Sequence, residues 1–195
     1  NKVNKQCDEE CRDVGMLDGL DEYIGQQGGD ILIVLHQMGS HGPAYFKRYP
    51  QEFERFKPAC KTLELAECSQ QEIINAYDNS IRYTDYFLSQ VIGFLKNYST
   101  QFNTTMFYLS DHGESLGENG IYLHGLPYSF APQVQKNVPL MIWAGETSPV
   151  DFIANRLNKD EDNSHDSVFD SLLSLFDVQT SLPPSSEKPL ILVRS

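Results

Sequence analysis

The stretch YLSDHGESLGENGIYLHG, Tyr108 to Gly125, gathers Asp111, His112, Glu114, Glu118 and His124 into one segment. It overlaps the end of TTMFYLS, Thr104 to Ser110, a β-branched and aromatic run of strand length. An apolar strand that ends on Asp-His-Gly sets its polar side chains at a carboxyl end, where open α/β sheets collect ligands. Asp111 offers a carboxylate oxygen and His112 an imidazole nitrogen, a donor pair suited to zinc and tolerable for manganese. Neighbours on a strand point to opposite faces. Both therefore reach one ion only where the strand has ended and the backbone turns, as Gly113 permits. His124 can close the far side of such a pocket.

Working outward, a second strand end carries the same signal. DILIVLH, Asp30 to His36, is a continuous apolar run read as a buried strand, bounded by GQQGG and QMGSHGP. His41 lies in the loop after it, at a place analogous to His112. A loop histidine is ordinarily a hydrogen-bonded surface group, and His36 and His165 are read so, in a strand edge and at a helix start. Asp111, His112, His41 and His124 differ in meeting at two strand ends.

The remaining segments alternate helix and strand. RDVGMLDGLDEYI spaces Val14, Leu17, Leu20 and Ile24 helically, with Gly25 as a stop. A polar excursion from about Gly42 to Cys68 carries YFKRYP and reads as a substrate-facing loop outside the core. Ser69 and Glu72 form a capping box for the longest helix. Its expected apolar stripe is Ile74, Tyr77, Ile81, Leu88, Val91 and Leu95, interrupted by Thr84. VPLMIWA reads as a third buried strand, HDSVFDSLLSLFDV as a helix capped by Asn163 or Ser164, and PLILVRS as a last strand. This order predicts an α/β domain with a mostly parallel central sheet flanked by helices.

Bulk properties narrow the function. The chain has 195 residues, 40% of them hydrophobic and 22% charged, enough for one globular domain. A net charge of −12 argues against a nucleic-acid partner and against a polybasic membrane patch. No stretch reaches the roughly 18 to 20 apolar residues of a membrane helix, and NKVNKQCDEEC has no signal-peptide core. Cysteines fall into local pairs, Cys7 with Cys11 and Cys60 with Cys68, which suit disulfides in an oxidising compartment such as the periplasm. The competing readings are four buried thiols or a four-cysteine zinc site, whose usual knuckle spacings these pairs fit poorly.

Two long motifs, VLHQMGSHGPAYFKRYP from Val34 and SDHGESLGENGIYLHG from Ser110, resemble the lipid A phosphoethanolamine transferases, including the mobile colistin-resistance enzymes. CRDVGML, NAYDNS and VPLMIWA fall in the same order, so the resemblance runs to about Trp143 and then rests on SHDSVFDSLLSLFDV. It implies an alkaline-phosphatase-like, sulfatase-like catalytic domain at the periplasmic face of the bacterial inner membrane, attached to membrane helices. It also implies transfer of phosphoethanolamine from phosphatidylethanolamine to a lipid A phosphate through a phosphorylated threonine, giving polymyxin and colistin resistance.

By the same resemblance, Asp111 and His112 match zinc ligands. His41 and His124 match catalytic, substrate-binding histidines near the transferred group, which can hold additional zinc. Glu114 matches a carboxylate of the substrate pocket. The family's nucleophilic threonine and a zinc-binding glutamate correspond to sequence upstream of residue 1, and Ser40 and Ser110 inherit no nucleophilic role. Residues 1–195 are accordingly expected to be the C-terminal part of the catalytic domain, inactive without the rest of the polypeptide. A metal-dependent phosphodiesterase or sulfatase-like hydrolase, and a non-catalytic periplasmic metal-binding module, are the alternatives.

Overall fold

A computed structural model describes residues 7, 10–152, 163–183 and 189–194. Its internal contacts divide the chain into two units, residues 1–93 with 112–140, and residues 94–111 with 141–195.

The first unit is organised by a long helix. After a 3-10 turn, Asp13–Leu17, Gly19 takes φ +82° and a short helix α1 runs Leu20–Gly25. The single helix expected over 12–24 is therefore broken, because a left-handed glycine reverses the backbone in its middle. Residues 30–38 form neither a helix nor a strand ladder among the described residues. Leu32 and Val34 are 54% and 78% exposed, in alternation with half-buried neighbours. A buried strand needs neighbours on both sides to cover it, so the expected burial of DILIVLH is not met here.

Helix α2, Gln70–Tyr98, starts as the sequence predicts. Ser69 N donates to Glu72 Oε2 at 2.8 Å, and Glu72 N returns a bond to Ser69 Oγ at 3.3 Å. Its buried face is rotated from the expected stripe. Ile73, Ala76, Tyr83, Phe87, Leu88 and Val91 are buried, whereas Ile81 is exposed. The rotation follows from Asn75 and Asn79, polar residues drawn inward by loop backbone. Asn79 Oδ1 accepts from Arg55 N at 2.8 Å and Phe56 N at 2.9 Å, while its Nδ2 donates to Phe56 O at 2.9 Å. Asn75 Nδ2 donates to Pro58 O at 2.7 Å. Buried amides bonded in this way avoid the desolvation cost of an unpaired polar group.

The excursion is consequently part of the core and not a free loop. Tyr45, Cys60, Leu65, Ile73 and Ala76 form one buried cluster, with Leu116 and Leu123 packed on it. Both disulfides are present, Cys7–Cys11 and Cys60–Cys68, the latter with Cα atoms 5.7 Å apart. The reading of YFKRYP as substrate-facing fails at Tyr45 and Tyr49, which are both buried.

The unit closes with a hairpin and a brace. Strands β2, Ser115–Leu116, and β3, Tyr122–Leu123, pair antiparallel with Ser115 opposite Leu123. Helix α3, Gln133–Lys136, follows.

In the second unit, β1, Thr105–Leu109, pairs with β4, whose run is Leu140–Ala144. Ser164 Oγ caps the following turn by accepting from Asp166 N at 3.2 Å, and helix α4 spans Val168–Leu175. Val168, Leu172, Leu175 and Phe176, on its apolar side, are half-buried. The most buried position is Ser171, whose Oγ bonds Ser167 O at 2.7 Å and Leu190 N at 2.6 Å. The predicted last strand reduces to one antiparallel bridge, Val150 with Val193; Ser195 lies outside the described residues. The described residues thus carry both helix and strand, in two two-stranded sheets, β1 with β4 and the antiparallel β2 with β3. The larger, mostly parallel sheet expected from the sequence is not among them.

Candidate active site

Three histidines from separate parts of the first unit come together. His41, His112 and His124 each offer a nitrogen, and these atoms lie within 4.8 Å of one another. The His112 and His124 rings stack at 3.7 Å between centroids, and His41 stands edge-on to His124 at 5.0 Å.

Each ring is turned by an oxygen at Nδ1. His41 Nδ1 meets Gly42 O at 2.7 Å, and His112 Nδ1 meets Gly113 O at 2.9 Å. His124 Nδ1 bonds Glu114 Oε1. A carbonyl or an ionised carboxylate only accepts, so each Nδ1 carries the hydrogen and Nε2 is the nitrogen left for a ligand. Imidazoles held in this tautomer by a neighbouring oxygen are the usual form of a metal-binding histidine. The donor set therefore fits zinc, for which three imidazoles with an open fourth position are a known catalytic shell.

Local chain geometry places these rings. On the His41 side, Asp13 is buried and its carboxylate accepts from Met38 N and Gly39 N, both at 3.0 Å. Arg48 Nε donates to His41 O at 2.7 Å, and Arg48 is itself paired with Glu10. On the hairpin side, Gln135 is the brace. Its Nε2 donates to Ser115 Oγ at 2.8 Å and Leu123 O at 3.0 Å, and its carbonyl accepts from Gly113 N at 3.0 Å. It thereby holds the residue beside each of His112, Glu114 and His124. Gly113 is needed for this approach, since a Cβ there would run into Val134 O. Leu123 takes φ +63°, a left-handed conformation rare for a branched residue, immediately before His124.

Glu114 is the buried carboxylate at the centre, its side chain 4% exposed. Its Oε2 accepts from Gly42 N at 3.1 Å and Tyr45 Oη at 2.7 Å, and its Oε1 takes His124. Burial, then the bond to Glu114 and its charge, push the Tyr45 phenol far above its ordinary value. Tyr45 is thus an O–H donor throughout the working pH range.

Of the predicted site residues, His41, His112, His124 and Glu114 are gathered in one place. Asp111 is exposed, directly after β1, and belongs to the second unit. Glu118 serves the hairpin instead, accepting from Leu116 N at 2.7 Å. His165 stands at the helix start as read from the sequence, with its Nε2 bonded to Ser110 O at 2.8 Å. Asp13, Tyr45 and Gln135 were missed. Asp13 and Tyr45 lie inside the motif stretches CRDVGML and YFKRYP, which marks their segments but not their roles. Nothing in its neighbourhood singles out Gln135.

The sulfatase family's sequence profile matches residues 1–178. Phosphatidylethanolamine transferase Mcr-1 of Escherichia coli is 51% identical over 170 residues, covering 87% of this chain and 31% of the relative. The integral membrane protein lipooligosaccharide phosphoethanolamine transferase A of Neisseria meningitidis superposes with a TM-score of 0.84 at 37% identity. That match covers 90% of this chain and 34% of the other. The C-terminal periplasmic domain of phosphoethanolamine transferase EptC from Campylobacter jejuni gives 0.81 at 45% identity, covering 87% and 54%. The chain thus spans about a third of the length of the full-length relatives, and its fold is that of the sulfatase and alkaline-phosphatase class. No helix among the described residues is long and apolar enough to cross a membrane.

Proposed function

Because the chain belongs to the sulfatase family, on the phosphoethanolamine transferase branch of it, we propose that it supplies part of a site moving phosphoethanolamine from phosphatidylethanolamine to a lipid A phosphate. The single observation that carries this is the convergence of His41, His112 and His124 around buried Glu114. All four lie within the two long motifs whose sequences resemble that branch.

Phosphoryl transfer asks chiefly for positioning and for charge to meet the phosphoryl oxygens. Imidazoles fixed at Nδ1 can present Nε2 to a metal ion or to a proton in transit. His41 or His124, where it holds no ion, takes the latter role at the attacking or leaving oxygen. In this reading Asp111 and His112 belong to a primary zinc shell, and His41 with His124 can help hold a further ion. Zinc, when bound, supplies positive charge to the phosphoryl oxygens and lowers the pKa of the nucleophile. The nucleophilic threonine and a further zinc-binding glutamate come from sequence outside residues 1–195. Residues 1–195 alone should therefore transfer nothing. We infer that the site works at the periplasmic face of the inner membrane.

The test is incubation of the full-length polypeptide with headgroup-labelled phosphatidylethanolamine and lipid A. Label in lipid A supports the proposal. Label released as a water-soluble headgroup supports a hydrolase, and no turnover by the full-length protein supports a metal-binding module.

A further inference from the structure

Resting on that reading of the site, we propose that Tyr45 is a positioning residue for His124, acting through Glu114. Glu114 has two oxygens and the fold treats them differently. Oε2 is held by Gly42 N at 3.1 Å and Tyr45 Oη at 2.7 Å, two donors fixed by the backbone and by the core. Once Oε2 is pinned, the carboxylate plane is set and Oε1 points in one direction, onto His124 Nδ1.

The anchor for Glu114 is buried. The Tyr45 ring is 1% exposed, packs with Cys60, Leu65, Ile73 and Ala76, and stands edge-on to Tyr77 at 5.6 Å. Its hydroxyl is therefore delivered by the same cluster that contains the Cys60–Cys68 disulfide. Gly42 completes the device, because a Cβ there would sit 2.7 Å from both Glu114 Oε2 and Tyr45 Oη, and 2.6 Å from Leu123 Cδ2.

The consequence falls on one ring. With its Nδ1 hydrogen bonded to Oε1, His124 keeps the Nδ1–H tautomer and turns Nε2 toward the site. A buried phenol could satisfy its O–H on any carbonyl. This one bonds the carboxylate that holds the His124 imidazole.

The experiment uses the full-length polypeptide with labelled phosphatidylethanolamine and lipid A, comparing wild type, Tyr45→Phe, Glu114→Gln and the double variant. Tyr45→Phe keeps the packed ring and removes the oxygen. We expect its kcat to fall about ten-fold with KM for the donor within about two-fold, as for other partners that orient a site imidazole. In the Glu114→Gln background the same change should add nothing, since both act on one interaction. A kcat for Tyr45→Phe within about two-fold of wild type overturns the proposal, as does a full additional loss in the double variant.

A second readout is independent of turnover. In 15N-histidine-labelled protein, His124 should be the Nδ1–H tautomer in wild type and mixed in Tyr45→Phe. An unchanged tautomer overturns the proposal. Failure of wild type to modify lipid A defeats the functional reading alone, and the tautomer still decides the role of Tyr45.

Discussion

Asn79→Ala should be among the most damaging substitutions outside the histidine cluster, and its cost can be worked from geometry. The side chain is fully buried and bonds Arg55 N, Phe56 N and Phe56 O at 2.8 to 2.9 Å. Alanine leaves two backbone N–H groups and one carbonyl without these partners. At about 1 kcal/mol net per bond, the loss is about 3 kcal/mol, and more if water cannot reach the groups. For a chain of this size that corresponds to a Tm about 6 to 12 °C lower. Asn79→Asp separates the components, because an aspartate still accepts from both N–H groups but faces Phe56 O with an acceptor. It should retain part of the loss-prone geometry and fall between wild type and alanine. Thermal unfolding by circular dichroism measures all three. A Tm for Asn79→Ala within about 2 °C of wild type would refute the claim that this amide ties the excursion to α2.

Three further outcomes follow from the same packing. Thiol labelling of the denatured, unreduced protein should find no free cysteine, and Cys60→Ser should lower stability by about 2 to 3 kcal/mol through its short loop. The Ser69 bonds hold the Glu72 carboxyl below its usual value; a folded value below the unfolded one adds stability that is present above the ordinary glutamate pKa and disappears as pH falls through the lowered folded value. Ser69→Ala should therefore lower Tm at pH 7 and flatten its fall between neutral and acid pH, and a parallel fall in both proteins would contradict this. Gly42→Ala should cut lipid A modification by about ten-fold or more through displaced Glu114, and an unimpaired rate would mean the contact relaxes without consequence.

Much of the site could be read from the motif spacing, and much of its support could not. The sequence places His41, His112 and His124 in loops after apolar runs, and the structure brings them together. The capping box at Ser69 and the cap at Ser164 also follow from local chemistry. Periodicity misplaces the face of α2, because it counts Ile81 and Ile74 as core and has no means to foresee Asn79 buried by loop backbone. DILIVLH looks buried on composition, yet burial of a strand depends on its neighbours, which composition does not contain. Tyr45 is read as loop surface because YFKRYP is basic and polar around it. Gln135 and Asp13 act on main-chain groups far along the sequence, and only a folded chain brings those groups to them.

Loss of His112 tests the proposed site most directly. Full-length protein carrying His112→Ala, expressed in Escherichia coli beside the wild type, is compared by mass spectrometry of lipid A and by metal content of the purified enzyme. The expected result is phosphoethanolamine on lipid A with wild type, none with His112→Ala, and less zinc per chain in the variant. Normal lipid A modification by His112→Ala at matched expression would contradict it.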